Sequence, residues 1–94
     1  MVTVSERLVP IVNPLGLHAR PAAEFVKLAA RFRADVQVEK DGMTVNGKSI
    51  MGVMTLAAEC GSAIRIRASG DDAEAALAAL VDLVARGFDE AYTS

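Results

Sequence analysis

The sequence predicts an α+β domain in which a sheet of four strands carries three helices on one side. Short runs alternate apolar with polar residues, and longer runs repeat apolar residues every three or four positions. Their order is strand, helix, strand, strand, helix, strand, helix. Strands with one apolar face and helices with one apolar stripe bury both most economically as two layers around one core. At 94 residues the chain can build one such core but not two, so a single domain over residues 1–94 is expected.

The first strand is expected from about Arg7 to Val12, where Val9 and Ile11 alternate with Leu8, Pro10 and Val12. Pro10 has no N–H for a ladder, which places this strand at a sheet edge. Pro14 and Gly16 break the run, and Ala22, Phe25, Val26, Ala29 and Phe32 mark the buried face of a helix that follows His18 and runs to about Arg33. Asp35 opens a short strand, Val36 to Lys40, with two valines inward. Asp41-Gly42 is a hairpin signal, and Met43 to Val45 returns as its partner, ended by Asn46-Gly47.

Ser49 to Ala58 is apolar on nearly every side, which suits a helix that is deeply buried or keeps a face for a partner. Ser49 is placed to cap it. After Gly61-Ser62, Ala63 to Ala68 sets Ile64 and Ile66 against Arg65 and Arg67, a strand with one dry and one wet face. Asp71 with Glu74 forms a capping-box pattern before a last helix whose stripe is Leu77, Leu80, Val81 and Val84 and which stops at Gly87. Pattern alone leaves the strand order open.

The chain's single histidine, His18, falls where the first strand has stopped and the first helix begins. The first amides of a helix lack intrahelical partners and carry partial positive charge, so an anion, and a phosphate above all, is welcome there. The same charge disfavours an imidazolium, and the neutral ring has the lone pair needed to attack phosphorus. Arg20 is near enough to meet phosphate oxygens with its guanidinium fork, and Pro21 in the first turn loses no intrahelical bond. From the residues alone two readings stay open. His18 carries a phosphoryl group, or it ends a loop and caps a helix while Arg20 lies on a solvated face.

Composition narrows the classes. Apolar residues make up 52% of the chain, against disorder, and no apolar run approaches the length of a bilayer span. Met1 to Arg7 lacks the pattern of a secretory signal, so a cytoplasmic protein is expected, without membrane insertion. Cys60 stands alone and reads as a small apolar residue near a helix end. With one Cys and one His, neither a disulfide nor a zinc site is expected. A net charge of -2, with three Phe, one Tyr and no Trp, argues against a nucleic-acid surface. Arg20, Lys27, Arg31 and Arg33 lie along the first helix, with Lys48 beyond, whereas Asp71, Asp72, Glu74, Asp82, Asp89 and Glu90 gather near the C-terminus. Arg20, Lys27 and Arg31 are spaced to share a helix face with Glu24, a basic rim that would steer acidic partners toward His18.

Gly16-Leu17-His18-Ala19-Arg20-Pro21-Ala22 resembles the active-site signature of the HPr family, the histidine-containing phosphocarriers of the phosphoenolpyruvate-dependent phosphotransferase system. Lys48-Ser49-Ile50-Met51-Gly52-Val53-Met54 resembles the family's regulatory serine region, and the likeness runs from about Val9 to Phe88. The resemblance implies an open-faced β-sandwich, an antiparallel sheet in the order 1-4-2-3. It implies a carrier and not an enzyme: phospho-enzyme I loads Nδ1 of His18, and the phosphoryl group passes to an EIIA protein or domain for sugar uptake, without a cofactor. Arg20 would be the phosphate-side arginine, and Ser49 a target of an HPr kinase/phosphorylase. Partner docking is expected at Ala19, Lys27, Lys48, Ile50, Met51 and Met54, on a monomer.

Two features depart from the sugar-branch pattern. Leu15 stands where several such members carry a polar, helix-capping residue, and the ending Arg86-Gly87-Phe88-Asp89-Glu90 looks more like the nitrogen-regulatory branch, NPr. A nitrogen-branch carrier is therefore one alternative. A protein-binding regulatory module of similar fold without phosphotransfer is a more remote one, because fold alone does not separate them.

Overall fold

The computed structural model describes residues 3–90, so the domain expected over residues 1–94 extends beyond them at each end. The elements are β1 (Val4–Pro10), α1 (Ala19–Ala29), β2 (Asp35–Lys40), β3 (Met43–Asn46), α2 (Ile50–Thr55), β4 (Ala63–Ser69) and α3 (Ala73–Ala85), followed by a 3-10 turn, Gly87–Asp89. The four strands form one antiparallel sheet in the order β1-β4-β2-β3. β1 is an edge strand, as Pro10 requires, and Pro10 is paired across from Ala63.

Alternation decides which face of the sheet is covered. Val9, Val36, Val38, Ile64, Ile66 and Ala68 are buried beneath the helices with Phe25, Val53, Leu80 and Phe88. Arg65, on the open face, lies between Glu6 and Glu39 of the two flanking strands at 3.6 and 3.4 Å. Both sides of that triplet are solvated, so it contributes little to stability. Among the described residues no helix is long and apolar enough to cross a membrane.

Several boundaries move from those read in the sequence. β1 ends at Pro10 instead of Val12, although Ile11 stays tied to the β4 side by its N–H to Ser62 O and its carbonyl from Gly61 N, each 2.8 Å. α1 ends at Ala29. Arg31 N and Phe32 N then bond three residues back, to Leu28 O and Ala29 O, and this tighter winding carries the apolar stripe on to a half-buried Phe32. Arg31 and Arg33 thus lie beyond the helix. α2 stops at Thr55 because Ala57 turns into the left-handed region at φ 50°, which swings Ala58 toward the His18 loop.

The capping box of Asp71 and Glu74 does not form. Asp72 occupies the N-cap of α3 and makes no side-chain bond to that helix. Its two carboxylate oxygens instead accept Arg33 N and Ala34 N, both at 2.8 Å, and so tie the end of the α1 turn to the start of α3. The Arg33 amide, with smaller help from Ala34 and Lys48, holds the Asp72 carboxyl below its ordinary value. On α3 itself Leu77, Leu80 and Val84 are buried as expected, joined by Ala73, Ala76 and Leu83, while Val81 is only partly covered.

Candidate functional site

The loop from Ile11 to His18 is held from three sides. Asn13 is fully buried, and its carbonyl accepts Gly16 N at 3.1 Å while its Nδ2 donates to Gly16 O at 2.7 Å, closing a tight turn. Gly16 has φ +65°, and a Cβ there would lie 2.2 Å from Ala58 O, so only glycine fits. That close approach lets the buried Leu17 donate its N–H to Ala58 O at 2.9 Å, joining the loop to the segment that follows α2.

The next residue is His18, the N-cap of α1, in extended conformation with its ring on the surface at 35% exposure. Its carbonyl accepts Ala22 N at 3.0 Å and starts the helix, but its side chain caps nothing. No acidic residue stands in the first turn. The end of α1 therefore carries the positive pole expected of it, with no capping side chain of its own. Pro21, buried in the first turn, fixes the backbone at no cost in helix bonds.

A carboxylate from the far end of the chain approaches this pole. Glu90 Oε2 lies 2.9 Å from His18 Nε2 and 3.2 Å from an Arg20 Nη, and Oε1 accepts Asn13 Nδ2 at 2.7 Å. The Glu90 side chain is 14% exposed. Burial pushes its carboxyl upward, but the bonds from Asn13, His18 and Arg20 together outweigh it and hold the group below its ordinary value. The 3-10 turn brings it there: Phe88 is buried in the core, and Phe88 and Asp89 both take left-handed φ, 59° and 55°.

The structure thus brings His18 and Arg20 together and adds Asn13 and Glu90, which sequence reasoning missed. Asn13 carried no signal beyond its nearness to Gly16. Glu90 was visible as one of several C-terminal acids and as the end of the Arg86 to Glu90 stretch, but nothing tied it to the histidine it reaches, 72 positions away. Ala19 is exposed at the first position of α1. Lys27 lies on a shallow groove with Glu24, Arg31, Arg86 and Asp89, so that face is mixed in charge, and Arg20 turns from it to Glu90.

Ser49 is the N-cap of α2, its Oγ accepting Gly52 N at 3.1 Å, as the sequence suggested. Lys48 sends its Nζ to Phe32 O at 2.8 Å, beyond the C-terminal end of α1, while His18 stands at the N-terminal end. Only Val53 of α2 is buried, and Ile50, Met51 and Met54 are exposed, as is Leu15 in the His18 loop. Cys60 is exposed in the turn before β4 and does not belong to the core.

Residues 5–86 match the family model described as the PTS HPr component phosphorylation site. The chain is 44% identical over 84 residues to the phosphocarrier protein HPr of Treponema pallidum, covering 89% of this chain and 96% of that protein. It is 46% identical over 79 residues to the HPr-like protein Crh of Halalkalibacterium halodurans, covering 84% and 94%. Among solved structures, HPr from Thermoanaerobacter tengcongensis superposes with a TM-score of 0.89 at 48% identity, over 93% of this chain and 98% of that one. With the sheet order, the surface histidine at the start of α1 and these likenesses in agreement, the chain belongs to the HPr family, the phosphocarrier proteins of the phosphotransferase system, and carries phosphoryl groups instead of catalysing a reaction of its own.

Proposed function

We propose that His18 accepts a phosphoryl group from phospho-enzyme I on Nδ1 and passes it to an EIIA protein or domain in the service of sugar uptake. The observation that carries this reading is the surface histidine at the uncapped positive pole of α1, with Arg20 beside it. Amides of the first turn and the guanidinium would hold the phosphoryl oxygens, and partial exposure keeps the hold moderate, as a relay needs. Ile50, Met51 and Met54, exposed on α2, together with Leu15 provide an apolar surface for docking, and Ala19, Lys27 and Lys48 complete the proposed set. Phosphorylation of Ser49 by an HPr kinase/phosphorylase would add about 1.5 to 2 negative charges beside that surface and weaken docking of acidic partners.

A second reading, the nitrogen branch, is favoured by Leu15, which is 77% exposed in the loop leading to His18, and by the Arg86 to Glu90 ending, whose last residue reaches the site. Mixing the purified chain with enzyme I and labelled phosphoenolpyruvate, then with EIIA proteins of each branch, tests both. Label should reach the chain and move on to one class of EIIA, and His18→Ala should accept none while keeping its fold. A His18→Ala chain that still took label would overturn the assignment.

A further inference from the structure

We propose that Glu90 is a positioning residue for phosphoryl transfer: its carboxylate accepts the Nε2 proton of His18 and so leaves Nδ1 as the nucleophile. The inference rests on the phosphocarrier reading of His18. A neutral imidazole places its one proton on either nitrogen, and the bond made by one nitrogen decides which of them keeps the lone pair. A carboxylate has no proton to give, so at 2.9 Å from Nε2 the contact requires Nε2–H, and Nδ1 is left bare.

The arrangement is built to hold that carboxylate still. Oε1 is fixed by Asn13 at 2.7 Å, and the same Asn13 amide nitrogen closes the turn that sets Gly16 and, two residues on, His18. Arg20 bonds the same oxygen as the ring, and Phe88, two residues before Glu90, is anchored in the core. One buried asparagine therefore registers both the ring's backbone and its carboxylate partner.

Charge adds a second effect. During transfer the Nδ1 lone pair forms a bond to phosphorus while the bond from phosphorus to the donor's leaving atom breaks, its electron pair staying with the donor. No proton leaves His18, so the ring gains one formal positive charge within hydrogen-bond reach of Glu90. The carboxylate offsets that charge where a neutral side chain does not.

The test uses the full chain labelled with 15N at His18, with Glu90→Ala and Glu90→Gln. Thermal unfolding of each variant establishes that it is folded. Ring nitrogen shifts at alkaline pH should show a single Nε2–H tautomer in the parent and in Glu90→Gln, whose amide oxygen still accepts, and at least a threefold rise of the Nδ1–H form in Glu90→Ala. Phosphoramidate, a small donor that needs no enzyme I, should place phosphate on Nδ1 in the parent, give a mixture of Nδ1 and Nε2 isomers by 31P NMR in Glu90→Ala, and react about tenfold more slowly with both variants. A Glu90→Ala chain with the parent's tautomer and the parent's isomer would overturn the proposal, because a purely structural glutamate changes neither. If the parent takes phosphate from no donor, the phosphocarrier reading fails instead, and the tautomer comparison alone decides whether Glu90 holds the ring.

Discussion

Replacing Gly16 by alanine isolates how much of the site's geometry depends on one missing side chain. Two effects add at this position. An L-residue in the left-handed region costs about 1–2 kcal/mol, and Gly16 has φ +65°. The new Cβ would also stand 2.2 Å from Ala58 O, backbone that has no rotamer to change. To make room the carbonyl must withdraw from Leu17 N, now bonded at 2.9 Å. Leaving that buried donor unpaired costs about 1–3 kcal/mol more.

Gly42 supplies the control. It has φ +84°, but a Cβ there would meet nothing within 4 Å, so Gly42→Ala carries the first cost only. Urea unfolding should then give a loss of about 1–2 kcal/mol for Gly42→Ala and about 2–5 kcal/mol for Gly16→Ala. In a domain of this size the melting temperatures should fall by about 5–10 °C for Gly42→Ala and about 10–25 °C for Gly16→Ala. Gly16→Ala should also slow phosphorylation of His18, and Gly42→Ala should leave it unchanged. Equal losses in the two variants would refute the reasoning, because the Ala58 contact would then not be what demands glycine.

Other outcomes follow from the caps and the carboxylates. Ser49→Ala removes the bond to Gly52 N and should cost about 1 kcal/mol in chemical denaturation, without affecting acceptance of phosphate by His18. Asp72 is held below its ordinary value, so its contribution is fully present above the unfolded pKa and is lost as the pH falls through the folded one. Stability should therefore decline below about pH 4, and Asp72→Asn should flatten that limb when urea midpoints are compared across pH. Glu90, also held low, acts with the same sign and in the same acid range, so Glu90→Gln should flatten the limb further.

Much of the architecture was legible because it rests on short-range chemistry. The alternation of Val9, Val36, Val38, Ile64 and Ile66 marked the buried sheet face, and Pro10 marked the edge strand. Ser49 was readable as a cap because an N-cap and its amide are three residues apart. His18 was readable as a helix start because Pro14 and Gly16 break the strand just before the three- and four-residue apolar repeat begins. The ends of elements were less legible. Ala57 at positive φ and the tightening after Ala29 answer to what Ala58 and Phe32 must reach elsewhere in the fold.

The chain's own pattern determined the order of elements, the sidedness of the sheet, and a histidine at the start of a helix, since periodicity and capping depend on neighbours a few residues apart. Tertiary structure alone decided who meets that histidine. Asp72 serves the end of α1 instead of its own helix, Lys48 bonds the Phe32 carbonyl, and Glu90 crosses 72 positions to the ring. Each of these contacts joins residues that the helix and strand repeats do not relate. The Asp72 and Glu90 contacts require α3 docked on β1 and β4, and that of Glu90 also requires buried Phe88, which turns the chain back toward α1.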